Sequence, residues 1–339
     1  MPTIRDVAER AGVSVGTVSH VLTGSGTVGK ARRERVLAAI RDLNYRPNPI
    51  ARSLKTRQTK MLGAVVSDIT NPFYPQLVRG AEDAALKRHY ILITVNTDDQ
   101  VEREREVMAM LLARRVDGLL LVPSPNAKDR SHIQAALDGG TPLVAIDRYV
   151  EGIATDSVAV NNAKGVQMAM NHLIRLGHKR IAYLGANWEL SNARQRRRGY
   201  EQALKEAGIR PDPAILCFGD FRQQSGYRLT KELCLRPSPP TAIFAGNAMM
   251  GMGALQAVQE LGLKCPQEIS VAMFDDLPFM NIVQPHPTAV SQPAYEIGVR
   301  AADLLIDRIE GKVKSREPQR IELDPELIVR ASTGPVPAR

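Results

Sequence analysis

The chain has little of what most protein chemistry requires. Only three of its 339 residues are cysteines (Cys217, Cys234 and Cys265), and none forms a CxxC. Scattered, odd in number, they exclude a disulfide framework and point to reduced, mostly buried thiols with no metal. The six histidines are dispersed, and no HExxH, GxSxG or Walker A string occurs. The signatures of zinc hydrolases, serine hydrolases and P-loop enzymes are therefore missing. No run approaches the ~18 apolar residues of a membrane-spanning helix. The opening PTIRD at residues 2–6 has no apolar segment of the kind a secretory signal needs, so a cytoplasmic location is expected, with no membrane partner. The tail TGPVPAR at residues 333–339 carries no leucine heptads and so offers no tetramerising coiled coil.

Positive charge, by contrast, is abundant in one place. Residues 1–60 hold twelve Lys and Arg against four Asp and Glu, which leaves +8 of the whole-chain +9 there. Charge confined to one small module points to a polyanionic partner for that module. The pattern within the module specifies it further. Ile4, Val7, Ala8 and Ala11 recur at helical spacing, with Thr3 as N-cap, Asp6 in the first turn and Gly12 as a left-handed terminator. Ser14 caps a second helix with apolar Val15, Val18, Val21 and Leu22. A small residue at Ala8, Gly12 in the turn and Val18 in the angle form a helix-turn-helix signal. A third helix places Val36, Leu37, Ile40 and Leu43 inward and Arg32, Arg33 and Arg41 outward. The DNA-facing set is Thr3, Ser14, Val15, Gly16, Thr17, Ser19 and His20. Thr17 and His20 can hydrogen-bond to base edges, and Val15 can touch a thymine methyl. The string GSGTVG at residues 24–29 matches a dinucleotide fingerprint, but it follows a helix instead of a strand and reads as a loop.

Pro47 and Pro49 bracket Asn48, a good N-cap, so residues 50–55 can form a turn and a half of helix. So short a helix needs something packed on it. Asn48, Ala51, Arg52, Leu54 and Lys55 are its candidate DNA contacts, with Leu54 the apolar wedge.

The strings IRDVAERAGVSVGTVSH (4–20), RVLAAI (35–40) and YRPNPIARSL (45–54) resemble the LacI/GalR family of bacterial transcription repressors. The resemblance runs along the whole chain. It implies paired hinge helices in the minor groove, with Leu54 inserted at a central base step. Such a wedge unstacks the step and kinks the duplex at a cost of a few kcal/mol, offset by wider contact.

From Met61 onward the rhythm changes. Strand-length apolar runs at 62–66, 91–95, 118–122 and 142–146, then at 180–185, 214–218, 242–245 and 270–274, alternate with helical stretches such as 74–88, 101–114, 162–176, 193–207 and 246–261. This is an α/β series with parallel sheets covered on both faces. About 280 residues exceed one such sheet, so two lobes are expected, with a ligand between them at the strand ends. The family resemblance adds an architecture like the periplasmic sugar-binding proteins, with crossovers near 160–162, 290–292 and 323–324. The domain boundaries that follow are 1–45 for the helix-turn-helix, 46–60 for the hinge and 61–339 for effector binding. The N-lobe spans about 61–160 and 292–323, and the C-lobe about 162–290 and 324–339.

Residues at these strand ends form a chemically coherent set: Asn71, Phe73, Tyr74, Asp147, Arg148, Arg196, Phe221, Asn247, Asp275 and Gln292. Carboxylate, guanidinium and amide groups together satisfy a sugar hydroxyl, and flat rings cover its C–H faces. Tyr74 suits a packed core equally well, and Arg194, Arg197 and Arg198 read as a solvated helix face. By the resemblance, all ten fall where ribose-binding proteins place ligand contacts. Tyr74 stands in place of a phenylalanine there, and Asn247-Ala248 stands where the family commonly has Asn-Asp. A ribose-like monosaccharide leads, with hexose, sugar acid and purine as alternatives. No cofactor, no metal and no catalytic residue is expected. A homodimer on a pseudo-palindromic operator is implied, since one helix-turn-helix reads a half-site. Sugar as inducer is the family's usual direction, and corepression also occurs. The rival readings are a small-molecule enzyme with an incidental basic arm and a transport-type binding protein.

Overall fold

The first helix starts where its cap dictates. The Thr3 hydroxyl accepts from the Asp6 backbone N–H at 3.4 Å, and the Asp6 carboxylate accepts from the Thr3 N–H at 2.7 Å. This reciprocal box opens α1 (Ile4–Ala11) and holds the Asp6 carboxyl below its usual range, first through the Thr3 N–H. Gly12 ends α1 at φ 60°, a left-handed conformation that suits glycine. Ser14 Oγ accepts from Thr17 N–H at 3.2 Å and opens α2 (Val15–Thr23); α3 (Lys30–Asp42) follows. The core of these three helices is Val7, Ala8, Ala11, Val18, Val21, Val36 and Ala39, flanked by Ile4, Leu22, Ile40 and Leu43. Two expectations fail here. Leu37 is exposed, because the inward stripe of α3 runs through Val36, Ala39, Ile40 and Leu43, and Leu37 lies one residue's rotation off it. Val15, in the first turn of α2, is also exposed instead of joining Val18 and Val21 inside.

The computed structural model describes residues 2–24, 26–45, 58–125, 129–186, 189–315 and 317–337. The chain divides into one unit of Met1–Thr59 and a second of Lys60–Arg339. The hinge residues Asn48, Ala51, Arg52, Leu54 and Lys55 lie outside the described residues.

The second unit is built on two six-stranded sheets. The first contains β1 (Met61–Val66), β2 (Ile91–Asn96), β3 (Gly118–Leu121), β4 (Leu143–Ile146), β5 (Asp156–Val160) and β11 (Arg320–Leu323), in the order β11-β5-β4-β3-β1-β2 and parallel throughout. The second contains β6 (Ile181–Ala186), β7 (Leu216–Gly219), β8 (Ala242–Ala245), β9 (Ser270–Phe274), β10 (Thr288–Ser291) and β12 (Glu326–Ile328), in the order β12-β10-β9-β8-β6-β7. Only the β10–β12 pair is antiparallel. Strands β3, β4, β8 and β9 are buried along their whole length, as central strands covered on both faces must be. The chain passes from one sheet to the other between β5 and α7 (Asn162–Arg175), between β10 and α11 (Ala294–Ile309), and between β11 and β12. Strand β7 starts two residues later than its apolar run suggests. The Asp212 carboxylate accepts from Ala214 N–H at 2.9 Å and winds Pro213–Ile215 into a 3-10 turn.

The remaining helices are α4 (Phe73–Lys87), α5 (Val101–Ala113), α6 (Ser131–Asp138), α8 (Ser191–Glu206), α9 (Gln223–Cys234) and α10 (Ala248–Glu260). Helix α4 packs on α11 through facing glycines. A Cβ on Gly80 would lie 2.0 Å from the Tyr295 carbonyl oxygen, and one on Gly298 would lie 1.9 Å from that of Leu77. Both obstacles are backbone, so the helices must separate to admit a methyl. Gly298→Ala is therefore expected to destabilise the protein by about 1–3 kcal/mol, visible as a lowered midpoint in thermal unfolding. An unchanged midpoint would contradict this packing.

Among the described residues, no helix is long and apolar enough to cross a membrane, and no group of three or more His, Cys, Asp or Glu is arranged to hold a metal ion. The three cysteines are free and only half-buried, less than expected. Burial still pushes their thiols up, to about 11 at Cys234 and about 12 at Cys265.

Candidate effector cavity and DNA-contact face

In the first unit, Ser14, Val15, Gly16 and His20 are exposed, and Thr17 and Ser19 are half-exposed. Thr3 and Ser14 both spend their hydroxyls on helix caps, and Ser14 Oγ also lies 3.0 Å from Thr17 Oγ1. The His20 ring lies over Gly26, where a Cβ would come within 2.8 Å of Nδ1. Helix α2 has no acidic residue in its first turn, so its N-terminal amides present a positive end. Helix α3 starts on Gly29 with no side-chain cap, and its first residues include Lys30, Arg32 and Arg33. Cations there oppose the helix dipole. The fold accepts that cost in a module that carries nearly all of the chain's net charge, and an anion near this end removes it.

In the second unit, the strand ends converge. Asp147 directly follows β4, Asp275 directly follows β9, Gln292 follows β10, and Phe221 and Asn247 stand two residues past β7 and β8. Asn71 precedes α4, Phe73 and Tyr74 open it, and Arg196 projects from α8. All ten residues named from the sequence line a single cavity of roughly 230 Å³. Asp147, Phe221 and Asp275 adopt φ of 64°, 64° and 71°. Left-handed backbone is uncommon for non-glycine residues, and rarest for a bulky one such as Phe221. It persists where the surroundings hold it, which is common at binding sites.

The side of the cavity next to β4 is a dense charged network. The Tyr74 hydroxyl donates to Asp147 Oδ2 at 3.1 Å, and Arg148 Nη2 donates to the Tyr74 oxygen at 3.4 Å. Arg148 Nη1 also donates to Asp99 at 2.5 Å and to the Pro123 carbonyl at 3.1 Å. Burial works against the Arg148 charge, but the carboxylates of Asp99 and Asp147 outweigh it and raise its pKa. Burial likewise pushes the Tyr74 phenol up, reinforced by the Asp147 and Asp99 charges, so it stays a donor.

The side next to β8 and β9 is organised by Arg196. Its Nε donates to Asn162 Oδ1 at 2.8 Å and its Nη1 to the Gly246 carbonyl at 2.6 Å, while the guanidinium lies 3.8 Å above the Phe274 ring. Asn247 Oδ1 caps α10 by accepting from Met250 N–H at 2.9 Å, and its Nδ2 donates to the Phe221 backbone carbonyl at 2.8 Å. Asn247 thereby fixes the turn that presents the Phe221 ring. The Gln292 amide donates to Asp275 Oδ1, and Ala248 N–H reaches Asp275 Oδ2 at 3.5 Å. Burial raises the Asp275 pKa, against the lowering influence of Arg196 and Gln292.

Twenty residues line the cavity, and of the ten that the sequence reading did not name, two bond directly to named ones in the charged network. Asn192 donates to Asp147 Oδ2 at 3.1 Å. It lies one helical turn before Arg196 on the same face, and that spacing could have found it. Asp99 pairs with Arg148 and follows the end of β2, so the strand-end rule applied to every strand would have caught it. Arg194, expected on a solvated face, pairs with Glu151 instead. The other two fit a helix surface: Arg198 is exposed, and half-exposed Arg197 pairs with Glu201. Asp276 turns away from Asp275 and is held by both terminal nitrogens of Arg330, at 2.7 and 2.9 Å.

Comparison with known proteins adds a second line of observation. Residues 3–48 match the model of bacterial regulatory proteins of the lacI family, and residues 170–333 match a periplasmic binding protein-like domain. The chain is 36% identical over 332 residues to the HTH-type transcriptional repressor PurR of Photobacterium profundum, covering 98% of each. It is also 36% identical over 332 residues to the ribose operon repressor of Escherichia coli (strain K12), covering 98% of this chain and 100% of that one. Among solved structures, a lac repressor dimer bound to operator and the anti-inducer ONPF superposes with a TM-score of 0.86 at 28% identity, over 98% of this chain and 99% of the other. A LacI family regulator from Enterococcus faecium with bound ribose has a TM-score of 0.72 at 30% identity, over 81% and 99%.

Proposed function

Because the chain belongs to the lacI family of bacterial regulatory proteins, and is a DNA-binding transcriptional repressor that responds to a small effector and not an enzyme, we propose that its effector is a neutral monosaccharide, a ribose-like pentose first, that it works as a homodimer, and that it controls sugar-utilisation genes. The observation that carries the effector reading is the lining of the cavity. Of its twenty residues only Phe73, Tyr74, Phe221 and Met249 are apolar or aromatic, so the lining sets hydrogen-bonding groups beside a few flat or apolar faces. A sugar matches both, with hydroxyls on the polar groups still open to a ligand and C–H faces on the rings; a flat base leaves those open groups away from its edge unpaired, at a desolvation cost for each. Size points the same way. Roughly 230 Å³ lies below the about 300–1,000 Å³ of pockets for drug-sized ligands, which suits one ring.

Charge argues for a neutral ligand. Six carboxylates, of Asp68, Asp98, Asp99, Asp147, Asp220 and Asp275, line the cavity against the guanidiniums of Arg148, Arg196 and Arg222. Arg148 is already committed to Asp99. A sugar acid or sugar phosphate would meet Arg196 against the buried Asp147 and Asp275, which disfavours it. The purine reading keeps one specific support, the similarity to PurR. The dimer follows from the helix-turn-helix, one copy of which reads one half-site.

A thermal-shift screen of pentoses, hexoses, sugar acids and purines tests the effector. At a free concentration about 100-fold above Kd, a bound ligand adds about 2.7 kcal/mol of stability and raises Tm. Neutral pentoses are expected to raise Tm by several degrees. A rise with purines or sugar acids and none with any neutral sugar would overturn the reading.

A further inference from the structure

The Tyr74 hydroxyl occupies hydrogen-bonding sites that a ligand hydroxyl would otherwise take. Asp147 Oδ2 accepts from Tyr74 at 3.1 Å and from Asn192 at 3.1 Å, with Arg148 Nε a further 3.6 Å away. A carboxylate oxygen accepts about two hydrogen bonds, so Oδ2 is filled. Arg148 spends Nη1 on Asp99 and Pro123 and Nη2 on Tyr74 and Asp99. Asp147 Oδ2 and both terminal nitrogens of Arg148 are thus paired before any ligand arrives, while Arg148 Nε has no hydrogen-bond partner among the described residues. On the opposite wall, Gln292 Oε1 is buried with no hydrogen-bond partner among the described residues, and Asp275 Oδ2 receives only the long Ala248 contact among the hydrogen bonds of the described residues.

We propose that the Tyr74 hydroxyl is a built-in stand-in for one hydroxyl of the effector, so that the pocket selects a deoxypentose, a pentose short of one hydroxyl, over ribose itself. The proposal rests on the monosaccharide reading above and narrows it. Tyr74 is only 4% exposed and packs edge-on against Phe73, with ring centroids 5.1 Å apart, so the phenol cannot swing aside. A sugar hydroxyl directed at Asp147 and Arg148 meets the phenol oxygen in its place. A sugar that lacks that hydroxyl still leaves Asp147 Oδ2 and Arg148 Nη2 paired, because Tyr74 already bonds both. Replacing Tyr74 with phenylalanine reverses the situation. Asp147 and Arg148 then face the cavity unsatisfied, and a ligand that lacks the hydroxyl is rejected by a site built to bond it.

The experiment is calorimetric titration of the full-length wild type and Tyr74→Phe with ribose and with 2-, 3- and 5-deoxyribose. One deoxyribose is expected to bind the wild type at least about tenfold more tightly than ribose, and the variant is expected to reverse that order. The inference is overturned if the wild type ranks ribose first, or if a folded variant keeps the wild-type ranking. The wild-type ranking needs no variant and decides the matter even if Tyr74→Phe does not fold. If the folded wild type takes none of the four sugars, the pentose reading itself has failed, and this inference falls with it.

Discussion

Raising the salt concentration from about 50 to about 200 mM is expected to weaken operator binding by on the order of 10³-fold or more. The expectation comes from where the charge is. Residues 1–60 carry +8 of the chain's +9, and the first residues of α3 include Lys30, Arg32 and Arg33. Each cation that meets a phosphate releases condensed counterions, and in the proposed homodimer two copies on one operator double the count. Six to ten such contacts give a loss of about 10³ to 10⁵ over that salt range. Effector binding by the same protein supplies the internal control. The proposed effector, a neutral sugar between buried, fixed groups, releases no counterion atmosphere, so its titration is expected to stay nearly flat over the same range. Filter binding or anisotropy on operator DNA measures the first slope, and calorimetry the second. Equal slopes would mean that the basic module is not what grips DNA.

What was legible in the sequence follows the range of the interactions. Caps depend on three or four consecutive residues, and the Thr3–Asp6 box, the Gly12 stop and the Ser14 cap could be read directly. Central strands are covered on both faces and appear as unbroken apolar runs, which is why β3, β4, β8 and β9 stood out. Two of the four edge strands do not: β11 and β12 are three or four residues long, carry charge and stay partly exposed, so only their long-range pairing defines them. The candidate binding residues were legible for a topological reason. Parallel sheets put ligands at their carboxyl ends, and polar residues just past an apolar run are easy to find. Asn192 was missed because it sits mid-segment on a helix, and its partner Asp147 is 45 residues away in sequence. Leu37 was misplaced because periodicity marks a stripe to within about one residue, and which edge of that stripe faces inward is set by the other two helices.

Asp275→Asn is expected to weaken effector binding by at least about thirtyfold, on the order of 2 kcal/mol, the worth of a charge-assisted hydrogen bond, while operator binding by the effector-free protein survives. The substitution is nearly isosteric. Gln292 can still donate to the retained oxygen, and only the weak 3.5 Å contact from Ala248 N–H meets a donor instead of an acceptor. The same change is expected to make the effector-free protein more heat-stable at neutral pH. Burial raises the Asp275 pKa above the unfolded-chain value, so the folded state holds the proton more tightly than the unfolded state does. The stability this contributes is fully present below the ordinary carboxylate pKa and is lost as pH rises through the raised value. At neutral pH the wild type carries that loss and the variant, with nothing to ionise, does not. The Tm advantage of the variant should therefore widen as pH rises from about 4 and level off above the raised pKa. Thermal unfolding across that range, paired with sugar calorimetry at pH 7, gives both answers at once. A gain in stability together with loss of sugar binding marks a carboxylate kept in a costly place for recognition. An undiminished sugar titration would remove Asp275 from the site, and a variant less stable than wild type at every pH would mean that the carboxylate holds the fold together instead.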